Sequence, residues 1–186
     1  MNVFSEESQF LIENWDTVED ILKAEKQLCA ELASFLLSVR AKLVECDWWQ
    51  DEWEFCSTGA TQSYISNRNW KVGNNFAIWI GVEGFTPKAI FGVGTPPTLY
   101  VWVSGKRVNL VTLLSERIKA SQHNTLGKVV TGSSGYVVKH AVEKCLPGDT
   151  DEFPQTVRRQ IADFFTFYAK LLNSFDSAIQ TQLAGD

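Results

Sequence analysis

The chain has 186 residues, of which 45% are hydrophobic and 21% are charged, and its formal net charge is −5. This composition is that of an ordinary folded domain and excludes disordered and collagen-like chains. Its longest apolar runs, such as residues 76–81, are far shorter than the ~20 residues of a membrane span. We therefore expect a soluble protein that forms one domain over residues 1–186.

Charge is distributed unevenly along the chain. Residues 1–56 hold thirteen acidic and four basic residues, residues 57–147 hold three and ten, and residues 148–186 hold six and three. A basic middle segment is typical of a nucleic-acid-binding face, or of a basic sheet packed beside acidic helices. The basic residues are spread along the middle segment rather than clustered, which favours the second interpretation.

Two helices are predicted at the N-terminal end. Ser5 begins a short helix, and residues 16–19 (Asp-Thr-Val-Glu) have the pattern of a capping box that opens a longer helix ending near Val44 or Cys46. Apolar residues at three- and four-residue steps predict a buried stripe on the longer helix. The stripe comprises Val18, Ile21, Leu22, Leu28, Cys29, Leu32, Phe35, Leu36, Val39 and Leu43.

From Trp48 onward the pattern changes to short strands separated by glycine and asparagine turns. Such short connections favour antiparallel pairing, because a parallel crossover needs about a dozen residues or more. The predicted strands are 53–57, 62–66, 76–83, 88–93, 98–104, 124–131 and 136–142. Helical periodicity predicts a middle helix at 108–121 and a long last helix from the region of Asp151 and Pro154 to the C-terminus. The predicted fold is α+β, an antiparallel sheet of about five to seven strands covered by two long terminal helices and a shorter middle helix.

The most unusual stretch is the acidic aromatic segment, residues 45–55, which holds five acidic residues and four large aromatic residues without a basic one. Tryptophans edged by carboxylates are typical of binding surfaces for basic partners, cationic ligands or sugars. The alternative is that the tryptophans fill the core and the acids protect an edge strand from pairing. The candidate binding residues are Trp48, Trp49, Asp51, Glu52 and Trp53.

Catalytic, metal and cofactor signatures are weak. The cysteines Cys29, Cys46, Cys56 and Cys145 include no Cys-x-x-Cys pair, so we expect no structural metal, and Cys29 is expected in the core. The chain has no Gly-x-Ser-x-Gly elbow and no phosphate-binding loop, so we expect no cofactor. A small-molecule enzyme would need Glu83 and His140 to converge in one pocket.

The order of helix, three strands, helix and strand resembles the core of restriction-endonuclease-like nucleases. Such nucleases hold a divalent metal with an acid on one strand and an acid-x-lysine motif on the next. Here Glu83 is followed by Gly84 and Phe85, and the strand at residues 99–103 carries no acid. The resemblance therefore implies a catalytically silent relative at most.

These observations predict a non-enzymatic binding or regulatory protein that acts through a protein–protein interface. The alternative is a nucleic-acid-associated protein, in which the basic middle segment contacts phosphates and Tyr64, Trp70 and Phe85 stack on bases. The acidic N-terminus does not have the pattern of a secretory signal, so a cytoplasmic location without membrane contact is expected. Two long apolar stripes are also consistent with a homodimer.

Overall fold

Helices lie against one face of an antiparallel sheet in the computed structural model. The structure describes residues 4–56, 59–92, 94–105, 107–121, 126–130, 135–144 and 152–185. Its helices are α1 (Glu6–Glu13), α2 (Trp15–Val44), α3 (Pro87–Phe91), α4 (Val108–Ala120), α5 (Phe153–Ser174) and α6 (Asp176–Ala184). Its strands are β1 (Trp53–Phe55), β2 (Ser63–Asn67), β3 (Lys71–Val72), β4 (Asn75–Phe76), β5 (Ile78–Glu83), β6 (Thr98–Val103), β7 (Lys128–Val129) and β8 (Tyr136–Ala141).

The main sheet has six strands in the order β1-β2-β5-β6-β8-β7, and every neighbouring pair is antiparallel. Strands β3 and β4 form a separate small hairpin. The register between β6 and β8 shifts at Val101 and Trp102, where β8 carries an extra residue. The predicted α+β class and antiparallel sheet are confirmed.

One face of the sheet forms the core with the helices. Alternate residues of β5 and β6 point to this face and are fully buried, among them Ile80 and Val101. Helix α5 packs against these two strands, α4 packs against β7 and β8, and the C-terminal half of α2 packs against α5. The helix residues buried in this core include Leu36, Leu114 and Phe164.

The last helix is interrupted at Phe175, so the predicted single helix is in fact α5 followed by α6. Pro154 lies in the first turn of α5, as expected. At the break, Asp176 in the first turn of α6 accepts a hydrogen bond from Nε1 of the fully buried Trp70 at 2.7 Å. This bond fixes the start of α6 against the 3-10 turn Arg68–Trp70.

The strand predicted at 88–93 is wrong, because this part of the chain forms the short helix α3. The Thr86 hydroxyl accepts a hydrogen bond from the Ala89 N–H at 3.3 Å, and Pro87 occupies the first helical position. Threonine followed by proline is a helix-start signal, since the proline N–H would be unpaired there anyway. Residue 93 itself lies outside the described residues.

The predicted start and stripe of the long N-terminal helix also need correction. Helix α2 begins at Trp15, so Asp16 lies within its first turn and does not cap it. Cys29, expected in the core, is exposed, as are Ile21 and Leu22. The buried residues of α2 are confined to its C-terminal half and are Leu32, Leu36, Val39 and Leu43.

The remaining predictions agree in position and differ in length. Helix α4 confirms the predicted helix at 108–121, and β8 confirms the strand at 136–142. Strand β7 confirms only residues 128–129 of the strand predicted at 124–131, because residues 126, 127 and 130 are not in a strand, and residues 124, 125 and 131 lie outside the described residues. His123 and Cys145 are outside them too.

Candidate binding surfaces

The second face of the main sheet is lined with aromatic side chains. The alternation that buries Ile80 and Val101 places Tyr64 on β2, Trp79 on β5, Tyr100 and Trp102 on β6, and Tyr136 on β8 on the opposite side. Tyr100 is buried beneath its neighbours, whereas the other four side chains are half-buried. We call Tyr64, Trp79, Tyr100, Trp102 and Tyr136 the aromatic face.

The rings of the aromatic face contact one another across neighbouring strands. Trp79 and Trp102 are directly opposed in the register, and their rings stack with centroids 4.4 Å apart and planes 4° apart. Tyr64 lies 5.6 Å from Trp79, and Tyr100 meets Tyr136 edge-on at 5.7 Å. Because such pairs each contribute about 0.5–1.5 kcal/mol beyond the area they bury, the rings form a well-fixed surface.

Gly81 makes room for the Tyr100 ring. The two residues are opposed on β5 and β6, and a Cβ atom added at Gly81 would lie 2.6 Å from both Cζ and Oη of Tyr100. It would also lie 2.8 Å from Cβ of Tyr64. The phenol of Tyr100 therefore occupies the space that a side chain at this position would fill.

Glu83, Tyr136 and Lys139 form a connected polar group at this face. The Tyr136 hydroxyl donates a hydrogen bond of 2.8 Å to Oε1 of Glu83, and Nζ of Lys139 lies 3.6 Å from the Tyr136 ring centroid. Burial, together with the hydrogen bond and negative charge of Glu83, raises the pKa of Tyr136 to about 12. The phenol therefore stays protonated at pH 7 and donates this hydrogen bond to Glu83.

A cavity of about 250 Å³ opens on the aromatic face, and we call it the sheet cavity. It is lined by Gln62, Tyr64, Trp79, Glu83, Tyr100, Trp102 and Tyr136. Glu83 is the charged member of this lining set, so the cavity combines aromatic walls with one carboxylate. Nε1 of Trp79 is buried there and has no hydrogen-bond partner in the described part of the chain.

The acidic aromatic segment is divided between core and surface. Trp48 and Trp53 are only 5% and 3% exposed, and their rings meet edge-on with centroids 5.5 Å apart. Nε1 of Trp48 also donates a hydrogen bond of 3.0 Å to Oγ1 of Thr166 on α5. Trp49 is half-buried, as is Glu52, whereas Asp51 is exposed. The two most buried tryptophans thus pack as core residues, and the binding role of the five residues stays a prediction.

Glu83 and His140 lie on opposite faces of the sheet. His140 is opposed to the buried Leu99 in the register, and its ring lies 6.2 Å from Phe164 of α5 on the core side. Glu83 is opposed to Thr98 and faces the sheet cavity. The structure therefore contradicts the hypothesis of an enzyme site built on these two residues.

Several basic residues of the middle segment are engaged within the protein. Arg68 and Lys71 both contact Glu54, at 2.6 Å and 3.4 Å, and the hydrogen bond from Arg68 holds the pKa of Glu54 below its usual value. Lys128 and Lys139 are opposed on β7 and β8, where they lie beside the aromatic face. Lys106 is not among the described residues.

The second candidate surface is the N-terminal arm, which we define as residues 4–27, comprising α1 and the first part of α2. None of its residues is buried. Its large apolar side chains are 42–62% exposed, namely Phe4, Phe10, Leu11, Ile12, Trp15, Ile21 and Leu22. The arm also carries seven acidic and two basic residues. Sequence periodicity placed Ile21 and Leu22 of this set in a buried stripe, whereas the structure leaves both exposed.

The described residues contain no group of three or more His, Cys, Asp or Glu side chains placed to hold a metal ion. They also contain no helix both long enough and apolar enough to cross a membrane. Comparison with known proteins found no matching family model, no matching curated protein and no matching solved structure. The aromatic face and the N-terminal arm are therefore the features that indicate a function.

Proposed function

We propose that this protein is a non-enzymatic binding protein that acts through a protein–protein interface, and that the N-terminal arm is this interface. The observation that carries the proposal is the arm's exposed apolar stripe. Trp15, Val18 and Leu22 are spaced three and four residues apart, so they fall on one side of α2, and Leu11 lies on the preceding helix α1. Contiguous apolar surface of this kind marks interaction sites in soluble proteins.

The energetics of an isolated helix support this assignment. The arm has 21 helical residues, 6–13 in α1 and 15–27 in α2, which amount to about 30 Å of helix at 1.5 Å per residue, and none of them is buried. Helices in water owe most of their stability to tertiary packing of one face rather than to intrinsic propensity. A partner that covers Trp15, Leu22 and their neighbours would supply this missing packing, at about 25 cal/mol per Å² of apolar surface.

The charge of the arm indicates the chemistry of its partner. Seven acidic residues against two basic ones give the arm a net charge of −5, and Lys23 already pairs with Glu19 at 3.0 Å. Two arms packed side by side would place like charges together, which disfavours a homodimer formed by arm-to-arm pairing. The arm fits an apolar groove with a basic rim on a different protein.

The test compares a stripe variant with a charge-matched control. Trp15→Ala/Leu22→Ala removes apolar surface from the arm, whereas Ser8→Ala/Thr17→Ala changes polar residues of the same arm. We expect light scattering to give a monomer mass and the arm amides to exchange hydrogen rapidly in the purified chain. A partner captured by the wild type and by the control, and then purified, should bind the stripe variant at least about tenfold more weakly in titration.

Two results would contradict the proposal. One is a dimer mass that the stripe variant reduces to that of a monomer, which would make the arm a self-association surface. The other is a purified partner that binds the wild type and the stripe variant equally.

A second candidate function is binding of single-stranded nucleic acid on the aromatic face. The specific observation is that Lys128 and Lys139 lie directly opposite each other beside these rings. Base stacking on aromatic side chains, combined with lysine–phosphate contacts, is how single strands are bound without sequence preference. This candidate predicts that oligonucleotide affinity falls steeply with salt, and that Lys128→Ala/Lys139→Ala reduces the slope.

A further inference from the structure

We propose that the sheet cavity is a binding site for an alkylated ammonium group, which would lie against the aromatic face and whose charge the Glu83 carboxylate would balance. This site lies on a different part of the molecule from the N-terminal arm and does not depend on it. The observations that carry the proposal are the ring arrangement, the charge of the lining and the position of Lys139.

The ring arrangement matches the requirement of a cation. The faces of aromatic rings carry negative electrostatic potential, and a cation within about 6 Å of a ring centroid is attracted to it. Five rings from four adjacent strands converge on one cavity of about 250 Å³. This volume is below the roughly 300–1,000 Å³ of sites for drug-sized ligands, so it suits a small head group.

The charge of the lining favours a cation over an anion. Glu83 contributes a negative charge, and the lining set includes no lysine or arginine. The hydrogen bond from Tyr136 holds the carboxylate at Oε1 and leaves the other oxygen, Oε2, for the ligand's charge. A phosphate or carboxylate in contact with Glu83 would instead be repelled, and the nearby cations Lys128 and Lys139 lie outside this lining.

The protein's own lysine shows the same chemistry at the edge of the cavity. Nζ of Lys139 already lies over the Tyr136 ring at 3.6 Å. A primary ammonium is strongly hydrated, so it gains least from leaving water for apolar walls. An alkylated ammonium loses less hydration, and its methyl groups pack against the rings. This difference favours an alkylated group over an ordinary lysine as the guest.

The experiment uses choline chloride as the probe and the neutral, equally shaped 3,3-dimethylbutan-1-ol as its control, at matched ionic strength. The readout is the set of indole N–H signals from the seven tryptophans in a ¹H–¹⁵N spectrum. Trp79→Phe and Trp102→Phe assign the two signals of the cavity. We expect choline to shift these two signals and to bind at least about tenfold more tightly than the neutral control.

A matched pair of charge variants tests the carboxylate. Glu83→Gln keeps an acceptor for Tyr136 and removes the charge, whereas Glu116→Gln makes the same change on the exposed surface of α4. Glu83→Gln should weaken choline binding about five- to tenfold and leave binding of the neutral alcohol unchanged. Glu116→Gln should change neither. Unchanged positions of the other five indole signals show that each variant is folded.

Three sources of the ammonium are then compared by the same two signals: free choline, a peptide carrying trimethyllysine beside its unmodified counterpart, and phosphatidylcholine vesicles. The tightest binder identifies the source. The proposal is overturned if the neutral alcohol binds as tightly as choline, or if none of these probes shifts the Trp79 and Trp102 signals at up to about 100 mM ammonium.

Discussion

Replacing Trp48 with alanine should lower the free energy of unfolding, because we expect Trp48 to act as a core residue rather than as a binding residue. Trp48 is only 5% exposed, so nearly its whole side chain is excluded from water. A buried tryptophan removes roughly 150–250 Å² from solvent, which at about 25 cal/mol per Å² corresponds to about 4–6 kcal/mol. Alanine retains part of this area, so we expect a loss of about 3–5 kcal/mol in the free energy of unfolding.

The assay is urea denaturation followed by far-UV circular dichroism. Two companion variants separate the contributions. Thr166→Val removes the acceptor of the Trp48 indole N–H, whose bond is 3.0 Å long, and should cost about 1–3 kcal/mol. Asp51→Asn changes an exposed residue of the same segment and should stay within about 0.5 kcal/mol of the wild type.

A loss of less than about 1 kcal/mol for Trp48→Ala would refute this reasoning, because a well-packed core tryptophan cannot be removed so cheaply. If the same stable variant also lost a protein partner, the acidic aromatic segment would become the better candidate interface. A loss near the expected size, with Asp51→Asn close to wild type, would assign Trp48 to the core.

Two further predictions concern other parts of the sheet. Gly81→Ala should lower the free energy of unfolding by about 1–3 kcal/mol and weaken choline binding, because the added Cβ would lie 2.6 Å from the Tyr100 ring. An unchanged midpoint in urea denaturation would contradict this prediction. The second prediction concerns Glu54, whose pKa is lowered from 4.5 by the hydrogen bond from Arg68. Because the pKa is lower in the folded state, the ionised carboxylate stabilises the fold at pH values above 4.5, and this stabilisation is lost as the pH falls through the lowered pKa. Between about pH 6 and pH 3 the midpoint of thermal unfolding should therefore fall more in the wild type than in Glu54→Gln, and the ion pair should contribute less than about 1 kcal/mol to the free energy of unfolding. Parallel plots of the midpoint against pH for the two proteins would show that the ion pair adds no stability.

The sequence predicted the fold class because its local patterns are strong. Short alternating segments separated by glycine turns favour an antiparallel sheet, and β5 and β6 follow this pattern closely. The strand prediction at residues 88–93 is wrong because the short apolar run Ala89, Ile90 and Phe91 does not by itself distinguish a strand from a helix. The local sequence does not predict the break between α5 and α6 at Phe175, because apolar residues continue at helical spacing through it.

The aromatic face was beyond the reach of sequence analysis for a different reason. Its rings come from four strands, and only the register brings Trp79 opposite Trp102. A shift of one residue in any pairing would move a ring to the core face. Alternation within β5 and β6 predicts that Trp79 and Trp102 leave the core, but the contact of Trp79 with Tyr64 and the pairing of Trp102 with Tyr136 depend on strand order.

The wrong burial predictions on α2 carry information of their own. Residues before and after Leu28 follow the same apolar periodicity, yet the second half of the helix packs on α5, whereas no residue of the helix before Leu28 is buried. Periodicity reports that one side of a helix is apolar and cannot report what covers it. A stripe that continues past the last contact with its own fold, through Leu22 to Trp15, is therefore expected where a helix is shared with another protein.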